Sequence, residues 1–81
     1  MTINIQGSGH MHFSGTGTDD VSFGRSLTQL YLTTGTSTTM SFDGGNTFMA
    51  LADSTTHIFP YPHVKALFFT GGTWSGVGIA V

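Results

Sequence analysis

Along most of the chain, apolar and polar residues alternate with a period of two. That spacing puts one face of a β-strand on a core and the other in water. The run TTMSFD shows it most plainly, with Met40 and Phe42 on one side and Thr39 and Ser41 on the other. TINIQ groups Ile3 with Ile5, and HMHFS groups Met11 with Phe13 while His10, His12 and Ser14 face the other way. LTQLYLTT sets Leu30 and Leu32 against Leu27, Gln29 and Tyr31. VSF at 21–23, TFMAL, VKALFF and GVGIAV complete the set. No window carries a helical stripe, and Gly and Thr, both poor in helix interiors, are spread throughout.

Turn-forming clusters separate these runs. Gly7–Gly9, Gly15–Asp20, the break at Gly35 and Gly71–Thr73 are rich in residues that take positive φ or bond their own backbone. In FDGGNT, Asp43-Gly44 predicts a tight hairpin turn. ADSTTHIFPYPH differs, because Pro60 and Pro62 argue against a central strand. An ordered loop or edge segment across the end of the sheet is expected there. The pattern predicts a single all-β domain over residues 1–81, a small antiparallel β-sandwich or barrel of about seven to eight short strands.

The C-terminal runs raise a question about partners. From Ala66 to Val81 no side chain is charged. In VKALFF, Val64, Ala66 and Phe68 share one face and Leu67 and Phe69 the other, so both faces need cover. In GVGIAV, Val77, Ile79 and Val81 are expected on the core face. Gly78 and Ala80 then make an almost bare face that another backbone can approach. Trp74 lies in the turn between the two runs. These features nominate Leu67, Phe69, Trp74, Gly78 and Ala80 as candidate interface residues, since aromatics are enriched where subunits meet. The competing reading places both strands in the centre of one protomer, with Trp74 capping its end.

Composition sharpens that question. Charged residues are only 7% of the 81, against about 25% in ordinary soluble domains. They are Arg25, Lys65, Asp19, Asp20, Asp43 and Asp53. A net charge of -2 leaves no electrostatic footprint for nucleic acid or an anionic membrane. No apolar run approaches the roughly 20 residues of a membrane helix. MTINIQGSGH has neither a basic nor an apolar leader region, so no signal peptide is expected. With no cysteine, neither a disulfide nor a thiolate metal site can staple so small a core. Self-association is the staple that remains, and a neutral Thr- and Ser-rich surface suits it. Natural monomers guard their sheet edges with charge, and here little charge exists to do so.

Candidate chemistry is sparse. His10 and His12 sit two apart on a strand and point the same way, so they form the one pair with metal-ligand spacing. His57 and His63 could extend the set. The pair is similar to the HxH of cupins, but the later Glu and the second cupin motif are missing. No carboxylate lies beside it to complete a site, and the expectation is no metal and no cofactor. GTWSGVG does not match a GxSxG nucleophile elbow. The four aspartates read as turn formers and solvated tips rather than an acid/base pair. GSGHMHFSGTGT has no following helix to hold a phosphate. The expectation is a protein that is not an enzyme. Tyr61 and Trp74 remain as candidate ring platforms for a glycan.

TTMSFDGGNTFMAL followed by VKALFFTGGTWSGVGIAV resembles a class of short phage virion proteins, in a strand, an SFDGG-x-TF hairpin, a loop, an apolar strand and a terminal strand. The resemblance covers Thr38–Val81. It implies a β-sandwich that decorates or cements a capsid or belongs to a tail, with no catalytic residues. Its expected partners are the major capsid protein or another virion protein and further copies of itself. Its expected place is the capsid surface, after assembly in the host cytoplasm. The alternative is a tail-associated or secreted carbohydrate- or receptor-binding module.

Overall fold

The computed structural model describes residues 2–80. They form nine strands and no helix: β1 (Thr2–Asn4), β2 (Gly9–Thr16), β3 (Asp19–Ser22), β4 (Gln29–Thr34), β5 (Thr39–Ser41), β6 (Met49–Ala50), β7 (Thr55–Pro60), β8 (Ala66–Thr70) and β9 (Thr73–Ala80). A five-stranded sheet has the order β1-β3-β8-β5-β6, and a four-stranded sheet has the order β2-β9-β4-β7. The two pack face to face as a sandwich, not a closed barrel. Pairing is antiparallel except that β1 runs parallel to β3, with Ile3 opposite Val21. The chain changes sheet at every connection but the one between β5 and β6. Each sheet is therefore stitched from distant segments.

The period-two pattern explains the core. Met11, Phe13, Val21, Leu30, Leu32, Met40, Leu67 and Phe69 all point inward and are buried. Phe23 and Leu27 lie outside the strands yet are fully buried, with the Leu27 N–H donating to Val64 O at 2.9 Å. Phe42 and Phe59 meet edge to face at 5.4 Å. That contact links β7 to the loop after β5.

The phase of β9 is the reverse of the expected one. Gly78 and Ala80 face the core, and Val77 and Ile79 face outward. The reason is space. A Cβ on Gly78 would lie 2.8 Å from Leu27 Cδ2 and 3.1 Å from Phe23 Cε1. The bare face admits this protomer's own large side chains rather than a neighbour's backbone. Val81 lies outside the described residues.

The SFDGG hairpin also differs in detail. The positive φ angles fall on Gly44 (77°) and Gly45 (91°), not on Asp43. The turn spans 42–48 and folds back over Ser41. The Ser41 hydroxyl donates to Asp43 Oδ1 at 2.6 Å and accepts the Gly45 N–H at 3.0 Å. Ser41, expected on the wet face, is thereby fully buried. The Thr47 N–H donates to Asp43 Oδ1 at 2.9 Å. The Ser41 hydroxyl and this N–H together hold the Asp43 carboxyl below its ordinary range. The segment with the prolines is the edge strand β7, and Pro60 ends it where no ladder donor is needed.

Candidate binding face

The five residues nominated as an interface are inside the protomer. Leu67 and Phe69 have no exposed surface, Trp74 and Ala80 have 1%, and Gly78 is buried. The Trp74 ring stacks on Phe69 with centroids 4.2 Å apart and planes 10° from parallel. Its Nε1–H donates to Gly17 O at 3.1 Å. Trp74 therefore caps one end of the core. It is closed to a glycan as it is to a subunit. A two-faced apolar strand cannot announce whether its second cover comes from the same chain or from another. On β8 this chain buries the Leu67 and Phe69 face, while Ala66 and Phe68 on the other face are half-buried.

Accessible apolar side chains lie in two places, Phe48 and Met49 at the β5–β6 hairpin, 40% and 39% exposed, and the outer face of the four-stranded sheet with the loop after β7. Register assembles that face into rows. His10, Ile79, Gln29 and Pro60 form the first, His12, Val77, Tyr31 and Ile58 the second, and Ser14, Ser75, Thr33 and Thr56 the third. One half is thus apolar and aromatic, and the other is a field of hydroxyls. In the hydroxyl half, Thr33 and Thr56 share a hydrogen bond at 3.0 Å. There a shallow depression of about 410 Å³ opens between Ser14, Thr16, Thr33, Thr73 and Ser75. Ile58 is 60% exposed at the centre of edge strand β7.

None of the six charged residues belongs to this sheet. Asp19 and Asp20 are in β3, and Arg25, Asp43, Asp53 and Lys65 are in connections. The edges are also unequal. The five-stranded sheet ends on β1 and β6, of three and two residues. The four-stranded sheet ends on β2 and β7, of eight and six residues, with no charged side chain in either. Short edges and charged edges deter pairing, and the longer sheet has neither protection.

The histidines are dispersed. His10 and His12 are exposed on β2, at one edge. His57 is at the opposite edge on the inner side of β7, stacked on Phe59 at 6.3 Å. His63 is in the loop after β7. Among the described residues no group of three or more His, Asp or Glu is placed to hold an ion. The Thr34 hydroxyl lies 3.5 Å from His57 Nε2, but it donates to Ala52 O at 2.7 Å and is buried, so it is not presented as a nucleophile.

Tyr61, a candidate ring platform that could equally have plugged the end of the core, is at the surface and 70% exposed. Register shows something that sequence distance hid. Tyr61 follows Pro60, which shares a row with Gln29 and His10, so all three lie at one end of one face. Val77, Ile79 and Ile58 were missed as surface residues, whereas Tyr31 lies on the face opposite Leu30 and Leu32, as the alternation predicts. The signal was present as the alternate phase of strands already recognised, but with both faces apolar the phase was undetermined.

Compared with family models, curated proteins and solved structures, the chain returns no match.

Proposed function

We propose that this chain is a non-enzymatic structural subunit that works inside an assembly. The assembly we infer is a virus particle, where the chain acts as a decoration or cement protein on the capsid and contacts the major capsid protein and further copies of itself. The observation that carries the reading is the exclusion of all six charged residues from the four-stranded sheet, whose outer face is part apolar and part hydroxyl. Such a face can be covered without stripping water from an ion, the step that makes charged interfaces expensive. Its Thr and Ser side chains also lose little rotamer freedom when ordered. The resemblance over Thr38–Val81 supplies the particle, and the face supplies the means of attachment.

A standard interface covers about 800 Å² on each partner, roughly a fifth of this protomer's 4304 Å². Its loss should therefore be plain. Val77→Lys and Ile58→Asp place a charge on the outer face without touching the core. The expected result is a folded monomer, by light scattering and circular dichroism, that no longer assembles or sediments with particles. The reading fails if the unaltered protein stays monomeric at high concentration and binds no particle, or if both variants assemble as it does.

A further inference from the structure

The loop after β7 holds two adjacent rings on an unfavourable backbone. Tyr61 and His63 both have left-handed φ angles, 54° and 55°, and neither is glycine. Tyr61 also precedes Pro62, and proline drives its predecessor toward extended conformations. Left-handed residues of this kind are strained and persist where the surroundings fix them. The surroundings do so here. The Tyr61 N–H donates to Thr28 O at 2.9 Å, and the His63 N–H donates to Leu27 O at 3.1 Å. The two rings lie near-parallel, with centroids 6.1 Å apart and planes 22° from parallel. Core packing does not account for this arrangement, since the tyrosine is 70% exposed.

Beside the ring is a cleft of about 350 Å³, walled by Thr28, Gln29, Pro60 and Tyr61. That volume is within the range of small-molecule sites. The Gln29 side chain makes no hydrogen bond among the described residues, so its amide offers two donors and an acceptor. The Thr28 hydroxyl donates to Ile79 O at 3.0 Å, which leaves its own oxygen free to accept. No charged residue lines the cleft.

We propose that this cleft is a saccharide-binding site that takes one pyranose ring of a neutral glycan, with the apolar face of the sugar on Tyr61. A pyranose presents C–H groups on its faces and hydroxyls around its rim. An amphipathic ring with a free amide and an accepting hydroxyl at its edge matches both. The lack of a cation in the walls disfavours phosphate or carboxylate ligands. A single ring, without the succession of aromatic ridges that a polyproline helix needs, disfavours a proline-rich peptide. Holding the ring in place beforehand lowers the ordering cost of binding. The site shares Gln29 and Pro60 with one end of the charge-free docking face, whereas Thr28 and Tyr61 lie outside its rows, and glycan binding by the free chain does not depend on the assembly reading.

The test is a titration of the isotope-labelled full chain with methyl glycosides of glucose, galactose, mannose, N-acetylglucosamine and N-acetylgalactosamine. The amide resonances provide the readout. Saturable shifts confined to the amides of Thr28, Gln29, Tyr61, His63 and their immediate neighbours are expected with at least one of them. Tyr61→Asn keeps a residue that tolerates the left-handed region but removes the ring, and should abolish the shifts. Gln29→Ala should weaken binding by about tenfold, the loss for one hydrogen-bonding partner. Tyr61→Phe should still bind. The proposal is overturned if no glycoside gives saturable shifts, if Tyr61→Asn binds like the unaltered protein, or if an oligoproline peptide shifts these amides and no glycoside does. Particle attachment of Tyr61→Asn should be unchanged, so failure here is distinguishable from failure of the assembly reading.

Discussion

Each end of the four-stranded sheet carries a large aromatic residue in or beside a turn, and the two have opposite environments. At one end Trp74 is 1% exposed, stacked on Phe69 and bonded through its indole N–H to Gly17 O. Glycines make room for it. A Cβ on Gly15 would run into the ring, and Gly71 and Gly72 supply the left-handed angles, 70° and 66°, of the turn before β9. At the other end Tyr61 is 70% exposed, and the left-handed positions belong to Tyr61 and His63 themselves. Ser37 and Ser54 also take such angles, but both are short polar residues on surface turns, and Ser37 N–H is held by Asp53 Oδ1 at 3.1 Å. The difference separates two uses of an aromatic ring. The tryptophan end is built for stability, with glycines where the ring and the turn before β9 need them. The tyrosine end keeps a strained residue for a ring that does little packing, and the saccharide proposal rests on that contrast.

The comparison can be broken most forcefully at the tryptophan. Trp74→Ala should remove about 3–5 kcal/mol of stability, the range for a large buried aromatic, as read by urea unfolding. Phe69→Asp should prevent folding altogether, because it buries an unpaired carboxylate against that ring. If Trp74→Ala unfolds at the same urea concentration as the unaltered protein, or if Phe69→Asp stays folded as a soluble monomer that merely fails to assemble, the two rings are not packed inside the protomer.

Next in size is the close approach over β9. Gly78→Ala adds a methyl against Leu27 and Phe23 and should cost about 1–3 kcal/mol, as overpacking does. A neutral or stabilising result would mean that the two sheets are less tightly apposed than the geometry says.

At the opposite end, Tyr61→Gly sharpens the contrast. It relieves a strain of about 1–2 kcal/mol, offset by the greater freedom of glycine in the unfolded chain. The melting temperature should hold or rise despite the loss of a large ring. A clear drop would show that Tyr61 is a packing residue like Trp74, and the distinction between the two ends would disappear.

The smallest effect belongs to Asp43. Its carboxyl is held below the ordinary aspartate range by the Ser41 hydroxyl and the Thr47 N–H. A depressed folded value means the ionised form is favoured by folding. This contribution is complete above the unfolded value and is lost as pH falls below it through the folded one. Amide resonances of Gly45 and Thr47 should move together in that acid window. In Asp43→Asn that transition should be absent.

The strand content, the inward placing of Met11, Phe13, Leu30 and Leu32, and the edge character of the Pro60 segment were legible in the chain. A period of two and the lost donor of proline are local properties. The sandwich class followed from the number and spacing of such runs. What the chain could not decide was the phase of strands apolar on both faces. Val77 and Gly78 are both consistent with burial, and only the bulk of Leu27 and Phe23 arriving from elsewhere forced the glycine inward. Nor could it show that Trp74 finds its cover in Phe69 on the preceding strand. The meeting of Gln29, Pro60 and Tyr61 at one end of a face, with the charges gathered on the other sheet and the connections, likewise depends on strand order. Strand order is set by long-range pairing between segments far apart in sequence, which no local periodicity encodes.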